Sequence, residues 1–234
     1  MNPHYTYLLV DLSAIFVPLI AGFHPKLKFY KNPFAVFVPI LLAAIPFILA
    51  DHLFTHMGVW GFNPNYLTGI YIFNLPLEEY LFFICIPFSC LFTYHCFRVF
   101  NISWLSKNAG KKMAQFLILF LIIVGTYFYD RWYTVTTFFA LAIAMFFVLV
   151  KMQNFNFGRF FSVYSILLIP FFICNGILTG TGPDQPVVWY NDLENMGIRM
   201  FTIPFEDTFY GMLLIFLSCL FNEKWIYKKV ILIP

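Results

Sequence analysis

Over 234 residues the chain is 61% hydrophobic and 22% aromatic but only 11% charged, a composition that excludes a soluble domain, a disordered chain and a disulfide scaffold. Its net charge of +3, from 14 Lys+Arg and 11 Asp+Glu scattered between long apolar runs, is too small and too dispersed for the basic stripe that nucleic acid requires. A lipid bilayer is the expected solvent.

A spanning helix needs about 20 mostly apolar residues. From the N-terminus onward, the stretches 5–22, 33–50, 76–97, 114–130, 133–150, 160–178 and 203–221 reach about that length. No basic leader with a small-residue cleavage site precedes the first, so that segment is expected to stay in the mature chain. The cysteines, Cys85, Cys90, Cys96, Cys174 and Cys219, fall inside apolar runs without a C-x-x-C pair and read as small apolar residues. Lys26, Lys28 and Lys31 follow the first span, and Arg98, Lys107, Lys111 and Lys112 the third. Lys151 and Arg159 follow the fifth, and Lys224, Lys228 and Lys229 end the chain. The opposite side holds only Arg131 and Arg199. Cytoplasmic loops are enriched in Lys and Arg, so the expected product is a multi-pass protein of the cell membrane, N-terminus outside and C-terminus cytoplasmic. Two long outer connections, 51–75 and 179–202, carry Trp60, Tyr66, Trp189 and Tyr190, rings that favour the membrane interface.

The chain repeats itself. Ile45-Pro46-Phe47 with Asp51 and Thr55 recurs 124 residues later as Ile169-Pro170-Phe171 with Asn175 and Thr179. At an offset of 128, Gly69-Ile70 and Asn74-Leu75-Pro76-Leu77-Glu78-Glu79 recur as Gly197-Ile198 and Thr202-Ile203-Pro204-Phe205-Glu206-Asp207. Trp60 and Trp189 nearly match. The expectation is an all-α integral membrane protein of seven transmembrane helices with a 3+1+3 parallel internal repeat, divided as 1–100, 101–131 and 132–234. Such a repeat implies a pseudo-twofold axis along the membrane normal and a cavity between the halves.

Glu78, Glu79, Glu206 and Asp207 all sit in the first turn of a span, on the outer side. An acid there either caps a helix whose dipole favours negative charge or serves a site at membrane depth. Its occurrence in both copies favours the second. Neighbouring helical residues lie about 100° apart, so one acid of each pair is expected to face the cavity while the other caps, and the pattern leaves open which. The helix start and any cation favour the charged carboxylate; apolar and aromatic surroundings favour the neutral acid. With 33 Phe and few cations nearby, an acid that can donate a proton near neutral pH is expected. Asp51 and Asn175, at matched places, either hydrogen-bond the carboxylates or cap backbone. Arg199 either neutralises an acid or faces water. Asp11, inside the first span, has no assigned partner, its counterpart region near Phe139 being apolar. Phe73, Tyr80, Phe82, Phe201, Phe209 and Tyr210 flank the acids, and ring faces can stabilise a carbocation.

Asp51, His52 and His56 have ligand spacing on a helix, but the second copy offers Asn175 and Gly176, so no metal is expected. No G-x-G-x-x-G, P-loop or prenyl-diphosphate aspartate cluster is present, and no cofactor is expected. The seventh span holds no lysine for a retinal Schiff base.

Pro76-Leu77-Glu78-Glu79 and Pro204-Phe205-Glu206-Asp207, each opening a span after a Trp-containing loop and a Gly-Ile pair, resemble the two signature motifs of the membrane lycopene cyclases. That family occurs as two small subunits, as one fused chain, and as part of bifunctional fungal enzymes, and this chain resembles the fused form. The resemblance implies redox-neutral cyclisation of the ψ ends of lycopene, taken from the bilayer, to β-ionone rings, and association with other carotenoid enzymes. It puts Glu78 and Glu206 forward as acid or base with Glu79 and Asp207 as partners. Trp60, Phe73, Tyr80, Trp189, Phe201 and Phe209 would contact substrate, and Asp51, Asn175 and Arg199 would support the acids. The differing loop from Gly180 to Asn195 implies halves that are not catalytically equivalent. A 3+1+3 repeat also builds small sugar transporters, and a hydratase would quench the same cation with water; these are the alternatives.

Overall fold

The computed structural model describes residues 2–231, with side chains to residue 224; Lys228 and Lys229 of the basic tail lie outside the described side chains. Among the described residues, seven helices are long and apolar enough to cross a membrane. They are α1 (Thr6–Ala21), α2 (Pro33–Met57), α3 (Leu77–Val99), α4 (Lys107–Tyr127), α5 (Trp132–Lys151), α6 (Phe157–Leu178) and α7 (Phe205–Ile231). Their starts follow local chemistry: the side chains of Asn32, Ser106 and Asn156 accept the backbone N–H of Ala35, Ala109 and Arg159 at 3.3, 3.1 and 3.0 Å. Gly58, at φ 74°, ends α2, which therefore runs seven residues beyond the apolar stretch 33–50 and carries Asp51 inside the helix.

Six short strands join the helices on the face that holds the N-terminus. β2 (Tyr71–Ile72) pairs with β3 (Leu75–Pro76), and β5 (Arg199–Met200) pairs with β6 (Ile203–Pro204), so an antiparallel hairpin precedes each of α3 and α7. The hairpins superpose the repeat: Gly69 and Gly197 have φ 83° and 69°, and Phe73 and Phe201 have φ 55° and 59°. A phenylalanine in the left-handed region is unusual, and its presence in both copies shows that the turn is imposed by the hairpin. Between the halves, β1 (Trp60–Phe62) and β4 (Val188–Tyr190) form an antiparallel ribbon with Gly61 opposite Trp189, whose indole leaves no room for a Cβ at Gly61. Trp60 and Trp189 are thus one residue out of step and point to opposite sides of the ribbon.

α7 runs through the middle, packed by α2, α3 and α5, while α4 lies outside against α5 and α6. Ile40, Phe138, Met145, Phe160, Phe216 and Cys219 are fully buried in this core. Phe16, Val17, Phe116 and Ile143 are more than 60% exposed, as a lipid-facing surface requires. α4 and α6 cross where Gly110 meets Gly158, a contact so close that a Cβ on Gly110 would overlap the Phe157–Gly158 backbone.

The halves do not pack identically. α2 lies along α7, whereas its counterpart α6 stands further from α3. A cavity of about 310 Å³ opens on that looser side, between α1, α3, α6 and α7.

Candidate functional site

Seven of the eleven acids are buried: Asp11, Asp51, Glu78, Glu79, Glu206, Asp207 and Glu223. Glu223 belongs to the far end of the bundle, where Tyr94 donates to it. The other six lie near the hairpins.

The two acids of each motif take different paths because they project from the helix about 100° apart. Glu78 accepts the backbone N–H of Thr68 at 2.7 Å, and Glu206 accepts that of Met196 at 2.7 Å. Each carboxylate thereby pins the loop ahead of its hairpin to the first turn of α3 or α7. Glu206 also accepts the Thr134 hydroxyl at 2.5 Å. Glu79 and Asp207 line the cavity, while Glu78 and Glu206 do not.

Around these two cavity acids the halves diverge. Tyr7 donates to Glu79 at 2.5 Å, and Tyr133 donates to Asp207 at 2.6 Å. Beyond that, the neighbour of Glu79 is a second buried carboxyl group, Asp51, whose Oδ2 has no hydrogen-bond partner among the described residues. Asp51 in turn accepts the Trp60 indole N–H at 2.6 Å. Asp207 faces donors only: besides Tyr133, the Tyr190 hydroxyl at 3.0 Å and the Asn175 amide at 3.1 Å. Burial, and then the neighbouring Asp207 charge, push the Tyr190 phenol well above its ordinary pKa. It therefore stays protonated, and donating, through the usual phenol range.

Two neighbouring carboxyl groups buried away from water can share one proton, because two like charges held close repel. A carboxylate with three donors is stabilised as the anion. Four rings complete the enclosure: the centroid of Trp60 lies 5.1 Å from Tyr133, 6.1 Å from Tyr190 and 6.0 Å from Tyr210. From this polar end the cavity continues along α3 past Phe82, Ile86 and Cys90 to Thr93, fourteen residues from Glu79 or ~21 Å at helical rise. Its remaining wall is largely apolar, with Ala14, Leu167, Phe171 and Leu214.

Of the sequence candidates, the cavity brings together Trp60, Glu79, Asp207, Asp51 and Asn175. Phe73 and Phe201 stand at the hairpin tips, each 89% exposed and away from the cavity. Tyr80 hydrogen-bonds His52 at 2.8 Å and Ile72 O at 3.1 Å. Trp189 is on the outer side of the ribbon, and Phe209 is buried against Phe138 with centroids 4.9 Å apart. Arg199 pairs with Asp192 at 2.5 Å and donates to Thr202 O at 2.9 Å; its guanidinium sits 6.0 Å from the Tyr190 centroid. Asp51 and His52 face different neighbours, and no group of three His, Cys, Asp or Glu among the described residues is arranged to hold a metal.

Tyr7 and Tyr133 escaped the sequence reading, and Tyr190, expected as a ring at the membrane interface, instead donates to Asp207 in the cavity. Tyr7 and Tyr133 are equivalent at an offset of 126, between the offsets of 124 and 128 found for the other helix pairs, and a search at 126 would have found them. The same offset makes Thr137 the counterpart of Asp11, one turn further on, correcting the apolar counterpart expected near Phe139. Both Asp11 oxygens and the Thr137 hydroxyl are buried without a partner among the described residues.

A family model described as lycopene cyclase matches residues 4–97 and 130–225, two segments that leave out the connecting helix α4. No curated protein and no solved structure matches the chain.

Proposed function

The chain belongs to the lycopene cyclase family, and on that premise we propose that it converts the ψ end groups of lycopene into β-ionone rings, giving γ-carotene and then β-carotene, as an intramolecular lyase that changes no oxidation state. What carries this reading is the pair of unlike carboxyl settings, Glu79 beside Asp51 and Asp207 among three donors, at the end of one long apolar cavity.

In this scheme the proton shared by Glu79 and Asp51 adds to the terminal alkene of the end group. The neighbouring double bond attacks the resulting cation and closes the ring. Asp207 then removes a proton from the carbon beside the new cationic centre, and the ring double bond forms. One proton enters and one leaves, so the molecular formula is unchanged and no cofactor is called for. The faces of Trp60, Tyr133, Tyr190 and Tyr210 stabilise the cation in a site that excludes water. The proton chemistry is thus assigned to Glu79 and Asp207, and the loop-pinning role to Glu78 and Glu206.

The ~21 Å cavity is shorter than a C40 polyene, whose length is comparable with the ~30 Å hydrocarbon core, so one end group is bound at a time. The substrate comes from the bilayer between α1 and α6, which both line the cavity but pack mainly on α3 and α4. The excess of Lys and Arg at the opposite end orients the acidic end outward in the cell membrane, with the C-terminus cytoplasmic. Neighbouring enzymes that make the C40 chain are the expected associates.

The test is pigment chromatography of lycopene-accumulating cells expressing the chain beside Glu79→Gln and Asp207→Asn. Cyclic carotene from the parent chain, lost in both variants at equal membrane content, is the expected result. Unchanged lycopene in cells holding folded parent protein would overturn the reading in favour of a hydratase or a transporter.

A further inference from the structure

Ring closure, on the reading above, leaves the site out of register: the Glu79–Asp51 pair has lost its proton and Asp207 has gained one. Every further turnover requires that proton to cross the cavity or to be exchanged with solvent. We propose that the Tyr210 hydroxyl carries it back from Asp207 to the Glu79–Asp51 pair inside the closed site.

Tyr210 lies on α7 three residues beyond Asp207 and lines the cavity. Its ring packs on Trp60 at 6.0 Å and on Tyr133 at 5.8 Å, the two residues that donate to Asp51 and to Asp207 respectively. Asp51, Glu79 and Asp207, the two sides of the proposed transfer, line the same cavity and are the charged groups that act on its hydroxyl. The hydroxyl oxygen is buried and has no hydrogen-bond partner among the described residues. Every other hydroxyl on the cavity wall is committed: Tyr7, Tyr133 and Tyr190 to carboxylates, Ser89, Thr93 and Thr179 to backbone carbonyls. A buried hydroxyl left unpaired is costly, which points to a partner acquired during the reaction. The repeat adds a comparison, since at an offset of 128 the counterpart is Phe82, which lines the same cavity without a hydroxyl. The first half has the ring and the second half has the ring and the proton.

The transfer is balanced. The Asp207 carboxylic acid passes its proton to the Tyr210 oxygen as the Tyr210 proton passes to the carboxylates of Glu79 and Asp51. The phenol is neutral before and after, and one proton has moved across the cavity.

The experiment is multiple-turnover conversion of lycopene in D2O by the full chain in vesicles, with deuterium per ring counted by mass spectrometry. Internal return hands the proton removed from one ring to the next, so the parent protein is expected to incorporate well under one deuterium per ring. Tyr210→Phe, which restores the residue of the equivalent position, is expected to lower turnover about tenfold to a hundredfold and raise incorporation towards one, because solvent then resets the acid. Full incorporation by the parent protein overturns the proposal, and this count stands even if the variant fails to fold. Parent-like turnover and incorporation in a folded Tyr210→Phe also overturn it. Absence of any cyclic product from the parent protein sinks the cyclase reading instead.

Discussion

The two halves share a scaffold and differ in what surrounds the acid that scaffold presents. Hairpin, pinned loop, tyrosine donor and first-turn acids recur, down to the equal 2.7 Å bonds from Thr68 and Met196 to their glutamates. Yet the first half holds Asp11 and Asp51 where the second holds Thr137 and Asn175. On the proposed reading, an aspartate beside Glu79 makes a pair that shares a proton, and an asparagine beside Asp207 makes an anion site. The shared scaffold supplies the geometry, and on that reading the exchange of Asp51 for Asn175 separates an acid from a base. Since α2 closes on α7 while α6 stands back from α3, both acids serve one cavity.

The comparison breaks most severely if either cavity acid is removed. Asp207→Asn and Glu79→Gln are each expected to lower the rate of ring formation by about 10²- to 10⁴-fold, read as carotene formed per unit of membrane protein. Making the halves alike comes next. Asn175→Asp gives Asp207 a second carboxyl group to share a proton with and removes a donor, and Asp51→Asn deprives Glu79 of its partner. Each is expected to cost about 10² in rate, while the double exchange, which swaps the two settings, retains more activity than either single variant if the settings define the roles. Opposite protonation states at one pH also predict a bell-shaped rate profile. It falls on the acid side as Asp207 takes up a proton and on the alkaline side as the Glu79–Asp51 pair loses its own; a profile with no limb above pH 5 would contradict the assignment.

Smaller effects sharpen the contrast between facing and pinning acids. Glu206→Gln, which weakens two hydrogen bonds to a buried carboxylate, is expected to cost about 1–3 kcal/mol of stability, and Glu78→Gln less, as thermal unfolding in detergent would register. Tyr190→Phe removes one of three donors to Asp207 and is expected to slow turnover by roughly fivefold, equivalent to about 1 kcal/mol.

Much of this was legible in composition and spacing. Apolar runs of spanning length are local, and four of the seven helices, α1, α3, α5 and α6, match the apolar stretches to within three residues; α4 begins seven residues earlier, at Lys107, and α2 and α7 run on by seven and ten residues past their polar ends. The repeated acids were visible because the hairpin and first turn form one uninterrupted segment at one offset. The tyrosines were not, because α1 and α5 are tied to that segment through loops of different length, which shifts their offset to 126. Phe73 and Phe201 drew attention by closeness in sequence to the acids, but the hairpins carry them outward.

Sequence alone determined that the chain lies in lipid, crosses it seven times, repeats itself around a connecting helix and presents two acid pairs at one end, since bilayer thickness and helix geometry act on contiguous residues. Tertiary structure alone decided which acid of each pair meets the cavity, which neighbours set its proton, and that one cavity serves both. Those outcomes depend on contacts across 17 to 130 residues of chain, between elements whose relative placement no single segment encodes.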